Sequence, residues 1–143
     1  MSKSKTPLPF ADELNIAKES AEEKLDQLID LTFLKEESFG DHEMLTFLIQ
    51  TFITNFEAFL TDTKTGIKEQ DFETVYKAAH KIKPNVSMIG AEELKHKINL
   101  IHDLSKEKKD LQEISTLLTV SEKIFGKVLT ALQHKIKELK NGN

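Results

Sequence analysis

The sequence predicts an all-α protein: an up-and-down four-helix bundle with an additional N-terminal helical segment. Three observations predict it. Leucine, isoleucine and phenylalanine recur at three- and four-residue spacing along most of the chain, with no strand-like alternation to compete. Turn residues are scarce, 5 glycines and 3 prolines, and Pro7 and Pro9 fall at the extreme N-terminus, too few for the tight connections of a sheet protein. A length of 143 residues suits one domain with a core of its own.

The elements follow in order. Residues 1–27 read as a tail to about Pro9, then a stretch where Leu14, Ala17, Ala21, Leu25 and Leu28 recur at helical spacing and supply the extra segment. Residues 28–140 read as the bundle. Leu31-Thr32-Phe33-Leu34 opens a short helical turn closed by Ser38-Phe39-Gly40. Asp41 can cap the next helix, and Glu43 in its first turn suits the helix dipole. That helix carries Met44, Leu45, Leu48, Phe52, Phe56, Phe59, Leu60 and Ile67, to about Gln70. Asp71 caps a third helix in which Phe72, Val75, Ala79, Ile82, Val86 and Ile89 keep a three-then-four rhythm until Gly90 interrupts it. Ala91-Glu92-Glu93 restarts a helix with Leu94, Ile98, Ile101 and Leu104 inward. After a lysine-rich link, 105–110, Leu111, Ile114, Leu118, Phe125, Val128, Leu132 and Leu139 line the last helix. Long amphipathic helices with short connections make a bundle.

Composition excludes several function classes. With no cysteine, thiolate metal sites, disulfides and cysteine nucleophiles are absent together. A net charge of −4 argues against nucleic acid as a partner. All 20 basic residues are lysine, so any anion must be met by ammonium groups or backbone donors, not a bidentate guanidinium. No stretch reads as a membrane span of roughly 18 apolar residues, and no apolar run follows Lys3 and Lys5 as a signal peptide would require. A cytoplasmic protein without membrane attachment is expected, and Met1 with this length fits a small free-standing one.

The histidines carry what chemistry there is. His42, His96, His102 and His134 read as surface residues. Glu93 and His96 form one Glu-x-x-His pair, but a di-iron bundle needs two such pairs and further glutamates. His80 differs by direction. At about 100° per residue it lies roughly 130° from the centre of the seam set by Ala79 and Ile82, so it faces out. Lys77 and Lys83 stand three residues to either side, Pro84 at four and Ser87 two turns on. Unperturbed imidazole titrates near pH ~6.5, so a neutral nucleophile is available at neutral pH. It can take a phosphoryl group on a ring nitrogen, with the lysines compensating charge and an open face admitting a second protein. No phosphate loop of the G-x-x-x-x-G-K-[ST] kind occurs, so nucleotide is not the direct donor.

The run from Ala79-His80-Lys81-Ile82-Lys83-Pro84 through Ile89-Gly90-Ala91 to Leu94 resembles the histidine-containing phosphotransfer (HPt) domain. The family pattern is Ala-His-x-Leu-Lys-Gly, a few small residues, then Leu/Ile-Gly-Ala-x-x-Leu. Ile29-Asp30-Leu31, Phe39-Gly40-Asp41 and Asp71-Phe72 fit its weaker framing. The resemblance implies a four-helix bundle that passes phosphate between receiver-domain aspartates in a two-component phosphorelay. It makes His80 the phosphoacceptor and Lys83 the group that stabilises its phosphate. Lys77, Pro84, Ser87 and Gly90 then border the docking surface, Gly90 permitting close helix contact. The partners implied are a response-regulator receiver domain or a hybrid histidine kinase; the receiver supplies magnesium, and this chain needs no cofactor. The family has glycine where this chain has Pro84. Proline removes the amide that would bond the His80 carbonyl, which predicts a kink or lengthened bond between His80 and Pro84. A different class of function keeps the same bundle: a non-catalytic adaptor that binds a receiver or kinase without transfer.

Overall fold

A computed structural model of the chain describes residues 28–141. The helical spacing read over residues 11–28 therefore lies, apart from Leu28, outside the described residues. The described chain is all-helical, with five helices: α1 (Thr32–Glu37), α2 (His42–Lys68), α3 (Phe72–Met88), α4 (Glu92–Lys106) and α5 (Leu111–Asn141). The four long helices pack in a closed circuit, α2 on α3, α3 on α4, α4 on α5 and α5 back on α2, with α1 against α2.

The helix starts follow from local chemistry. Asp41 Oδ1 accepts from the backbone N–H groups of Glu43 and Met44 at 2.9 and 3.2 Å. Asp71 does the same for Glu73 and Thr74, and its other oxygen accepts from the Thr74 hydroxyl at 2.8 Å. Each satisfies donors that have no intrahelical partner. The Thr74 hydroxyl first, then the Thr74 backbone amide, hold the Asp71 carboxyl below its ordinary 3.8. Because the folded value is the lower one, the cap's charge stabilises fully above the unfolded value and is lost as pH falls through the folded one. Asp71→Ala should therefore lower the thermal midpoint at pH 7, and the gap to wild type should narrow below about pH 4; melts from pH 2 to 7 measure this.

The core fills from all four long helices. Ile49, Phe52, Phe56 and Phe59 meet Val75, Ala79, Ile82 and Val86, then Leu94, Ile98 and Ile101, then Ile114, Leu118, Phe125, Val128 and Leu132. At its centre the Phe56 ring stacks on Phe125, centroids 4.5 Å apart at 21°, flanked by Phe52 and Phe59 at 5.8 and 5.2 Å. Five side chains on α2 and α4 depart from the expected pattern. Met44 is 46% exposed, on a helix whose buried stripe begins at Leu45. Ile49 is fully buried and belongs to that stripe. On α4 the buried arc turns by one position, taking His102 and Ser105 inside and leaving Leu104 half-buried.

α2 is, by length and composition, long and apolar enough to cross a membrane, contrary to the reading that no stretch qualifies. Its phenylalanines and isoleucines raise the apolar content, and among the described residues they are what the bundle core is built from.

Candidate functional site

α3 presents two faces with opposite surroundings. Val75, Ala79, Ile82 and Val86 are buried, while His80, Lys81, Pro84 and Ser87 are exposed or half-buried and Lys83 is half-buried. The imidazole at 80 faces out, as the helical projection requires. Lys83, one turn on, makes no ion pair among the described residues, whereas Lys77 is held by Glu73 at 3.2 Å. Lys83 is the ammonium group free to meet an anion at His80; Lys77 is partly committed to its own helix.

α3 runs unbroken through Pro84. The expected disturbance does not interrupt the helix. What proline does remove is the amide that would donate to the His80 carbonyl, so that carbonyl lacks its helical partner on the turn that carries the imidazole.

Gly90 sits at the end of α3 with φ +64°, a left-handed conformation natural to glycine. A Cβ there would lie 2.5 Å from the Asp30 Cβ and 2.7 and 2.8 Å from its backbone O and N. The Asp30 N–H donates to the Ile89 carbonyl at 2.8 Å. The close approach that Gly90 permits is therefore to the segment preceding α1.

Two aromatic residues beside His80 escaped the sequence reading. Tyr76, one turn earlier on α3, stacks on the His80 ring with centroids 5.9 Å apart. His102, expected on the surface, is buried at 8% exposure, its ring 4.9 Å from Tyr76 and 5.7 Å from His80. Its burial has a physical reason. His102 follows Ile98 by four residues, and the flank of α4 that meets α3 closes over that position. The i, i+4 relation to Ile98 places it at the edge of the buried stripe but does not by itself decide burial. His102 Nδ1 lies 3.2 Å from Asp103 Oδ1, and its Nε2 is buried without a hydrogen-bond partner among the described residues. Asn99, one turn before it, likewise has a buried and unpartnered Oδ1. The other histidines are as expected: His42, His96 and His134 are exposed, and His134 Nε2 meets Glu138 at 3.2 Å.

Compared with protein-family models, with curated proteins and with solved structures, the chain matches none. Among the described residues no three His, Asp or Glu side chains converge as metal ligands. A cleft of about 710 Å³ lies between the start of α1 and the latter part of α5, lined by Asp30, Lys35, His134 and Glu138 among others, and does not include His80.

Proposed function

We propose that the protein is a histidine phosphotransfer protein of the HPt type, an up-and-down four-helix bundle that carries a phosphoryl group on His80 between receiver-domain aspartates. The observation that carries this reading is the pairing of an exposed imidazole with an ammonium group one turn away that makes no ion pair among the described residues, on a helix whose opposite face is buried. Transfer needs a nucleophile, charge compensation and access, and little else from this partner. A His80 ring nitrogen attacks the phosphorus of an aspartyl phosphate; the N–P bond forms as the P–O bond breaks and the aspartate leaves as carboxylate. Lys83 meets the phosphoryl oxygens. Magnesium belongs to the receiver, and the setting for such a relay is cytoplasmic.

A second reading, an adaptor that docks without transfer, draws on the exposed Phe33, Phe39, Met44 and Phe47, of which Phe39 is 94% and Phe47 61% exposed. Apolar side chains on that scale suit a protein contact. An adaptor, however, requires neither His80 nor Lys83.

Incubation with a phosphorylated receiver and magnesium separates the two. Label is expected to move to an acid-labile, alkali-stable site on this chain, and His80→Gln should reduce it to background. Binding without label transfer would favour the adaptor; transfer that survives the substitution would move the site elsewhere.

A further inference from the structure

We propose that His80 and His102 together bind a divalent transition-metal ion of the zinc class, and that the ion takes the phosphoacceptor ring out of reaction. A buried polar atom without a partner requires an explanation. Among the described residues His102 Nε2 is one, on a side chain only 8% exposed. The Asp103 carboxylate lies 3.2 Å from Nδ1 of the same ring. A carboxylate only accepts, so Nδ1 carries the proton and Nε2 is left with a bare lone pair. A carboxylate bonded behind an imidazole, with the other nitrogen free, is the arrangement that aims a histidine at a metal.

The second ligand is His80. Two metal–nitrogen bonds of about 2.0–2.1 Å at a tetrahedral angle place the ring centres roughly 5 Å apart. The His80 and His102 rings stand 5.7 Å apart at 27°, and His80, being exposed, can turn through the small remainder. Tyr76 backs both rings, at 5.9 and 4.9 Å. The open side of His80 gives the ion its way in.

Ligand chemistry narrows the ion. Neutral imidazole suits zinc, nickel and copper(II), whereas magnesium and calcium take oxygen. Magnesium carried by a receiver would therefore leave these rings alone. No third His, Asp or Glu side chain converges here among the described residues. Water completes the shell, which makes the ion exchangeable and not structural. Lys83 opposes it, since an ammonium group one turn from His80 favours an arriving phosphoryl group and repels a cation.

The regulatory consequence rests on the transfer reading; the binding does not. Neutral imidazole has a single ring lone pair. Once His80 donates it to the ion, none remains to form the N–P bond. Coordination moves no electron and, from neutral rings, no proton. A chelator that removes the ion returns the lone pair and the nucleophile with it.

Calorimetric titration of the full chain with Zn²⁺ tests the binding. One ion per chain is expected, bound even in excess Mg²⁺. His80→Gln, a substitution at an exposed position, should abolish it. Asp103→Ala should weaken it about ten- to a hundredfold, the loss typical of a carboxylate behind a metal-bound histidine. Lys83→Gln, which removes the opposing charge, should tighten it. Zn²⁺ held equally well by His80→Gln, or lost instead in His134→Gln at the exposed pair with Glu138, would overturn the proposal. In transfer assays Zn²⁺ should block label uptake from a phosphorylated receiver, and a chelator should restore it. His102→Gln, measured against its own zinc-free rate, should be insensitive; equal inhibition there would place the effect on the receiver and overturn the regulatory role. If wild type takes up no label under any condition, the transfer reading fails, and the titration still decides the metal site.

Discussion

Phe56→Ala should cost about 3–5 kcal/mol, the range for deleting a buried phenylalanine. Phe56 has no exposed surface and touches aromatic rings from α2 and α5, stacked on Phe125 at 4.5 Å. The cavity would open at the centre of the core, where Phe52, Phe59 and Phe125 are each anchored by their own helices and cannot collapse far into it. A domain of this size carries roughly 5–15 kcal/mol in total, so the loss is a large share. It corresponds to a fall in the thermal midpoint of about 12–20 °C. Phe56→Leu keeps much of the volume and should lose clearly less. Urea and thermal unfolding followed by helical circular dichroism measure both; a loss below about 1 kcal/mol for the alanine variant would contradict this packing.

Gly90→Ala is the second large effect, from a different cause. A left-handed backbone costs a residue with a Cβ roughly 1–2 kcal/mol. Here the new carbon would also press on the Asp30 backbone at 2.7 and 2.8 Å. Relief requires the segment before α1 to move and weakens the Asp30 to Ile89 hydrogen bond. Adding the typical cost of overpacking, about 1–3 kcal/mol, gives about 2–5 kcal/mol in all. Gly40 is the control. It has φ +80°, but a Cβ placed there would meet nothing within 4 Å, so Gly40→Ala should lose only the backbone part. Equal losses at the two positions, read from denaturant midpoints, would refute the clash.

Most of the fold was legible because its signals are local. Asp41 and Asp71 announce helix starts by their own side chains, and the rhythm from Val75 to Val86 gives the buried face of α3 directly. The outward direction of His80 follows from the same rhythm. His102 was not legible in that way. Whether the edge of a helical stripe is wet or dry depends on the neighbour that covers it, and the stripe Leu94, Ile98, Ile101 fits a surface residue at 102 equally well. Tyr76 had a local signal, its i, i+4 spacing to His80, but a stack of two polar aromatics becomes meaningful only with the third ring from α4 beside it. Gly90 shows the same limit, since its contact with Asp30 spans a long stretch of sequence.

Pro84 has a mechanical consequence. An α-helix resists bending because flexure stretches its ladder of amide bonds, and on the turn after His80 one rung is missing by covalent structure. That turn can flex without forfeiting a bond, while the Asp71 cap and the clasp between Ile89 and Asp30 anchor the two ends of the rod. Compliance is thereby concentrated beneath the imidazole, where small swivels re-aim the ring at little energetic expense.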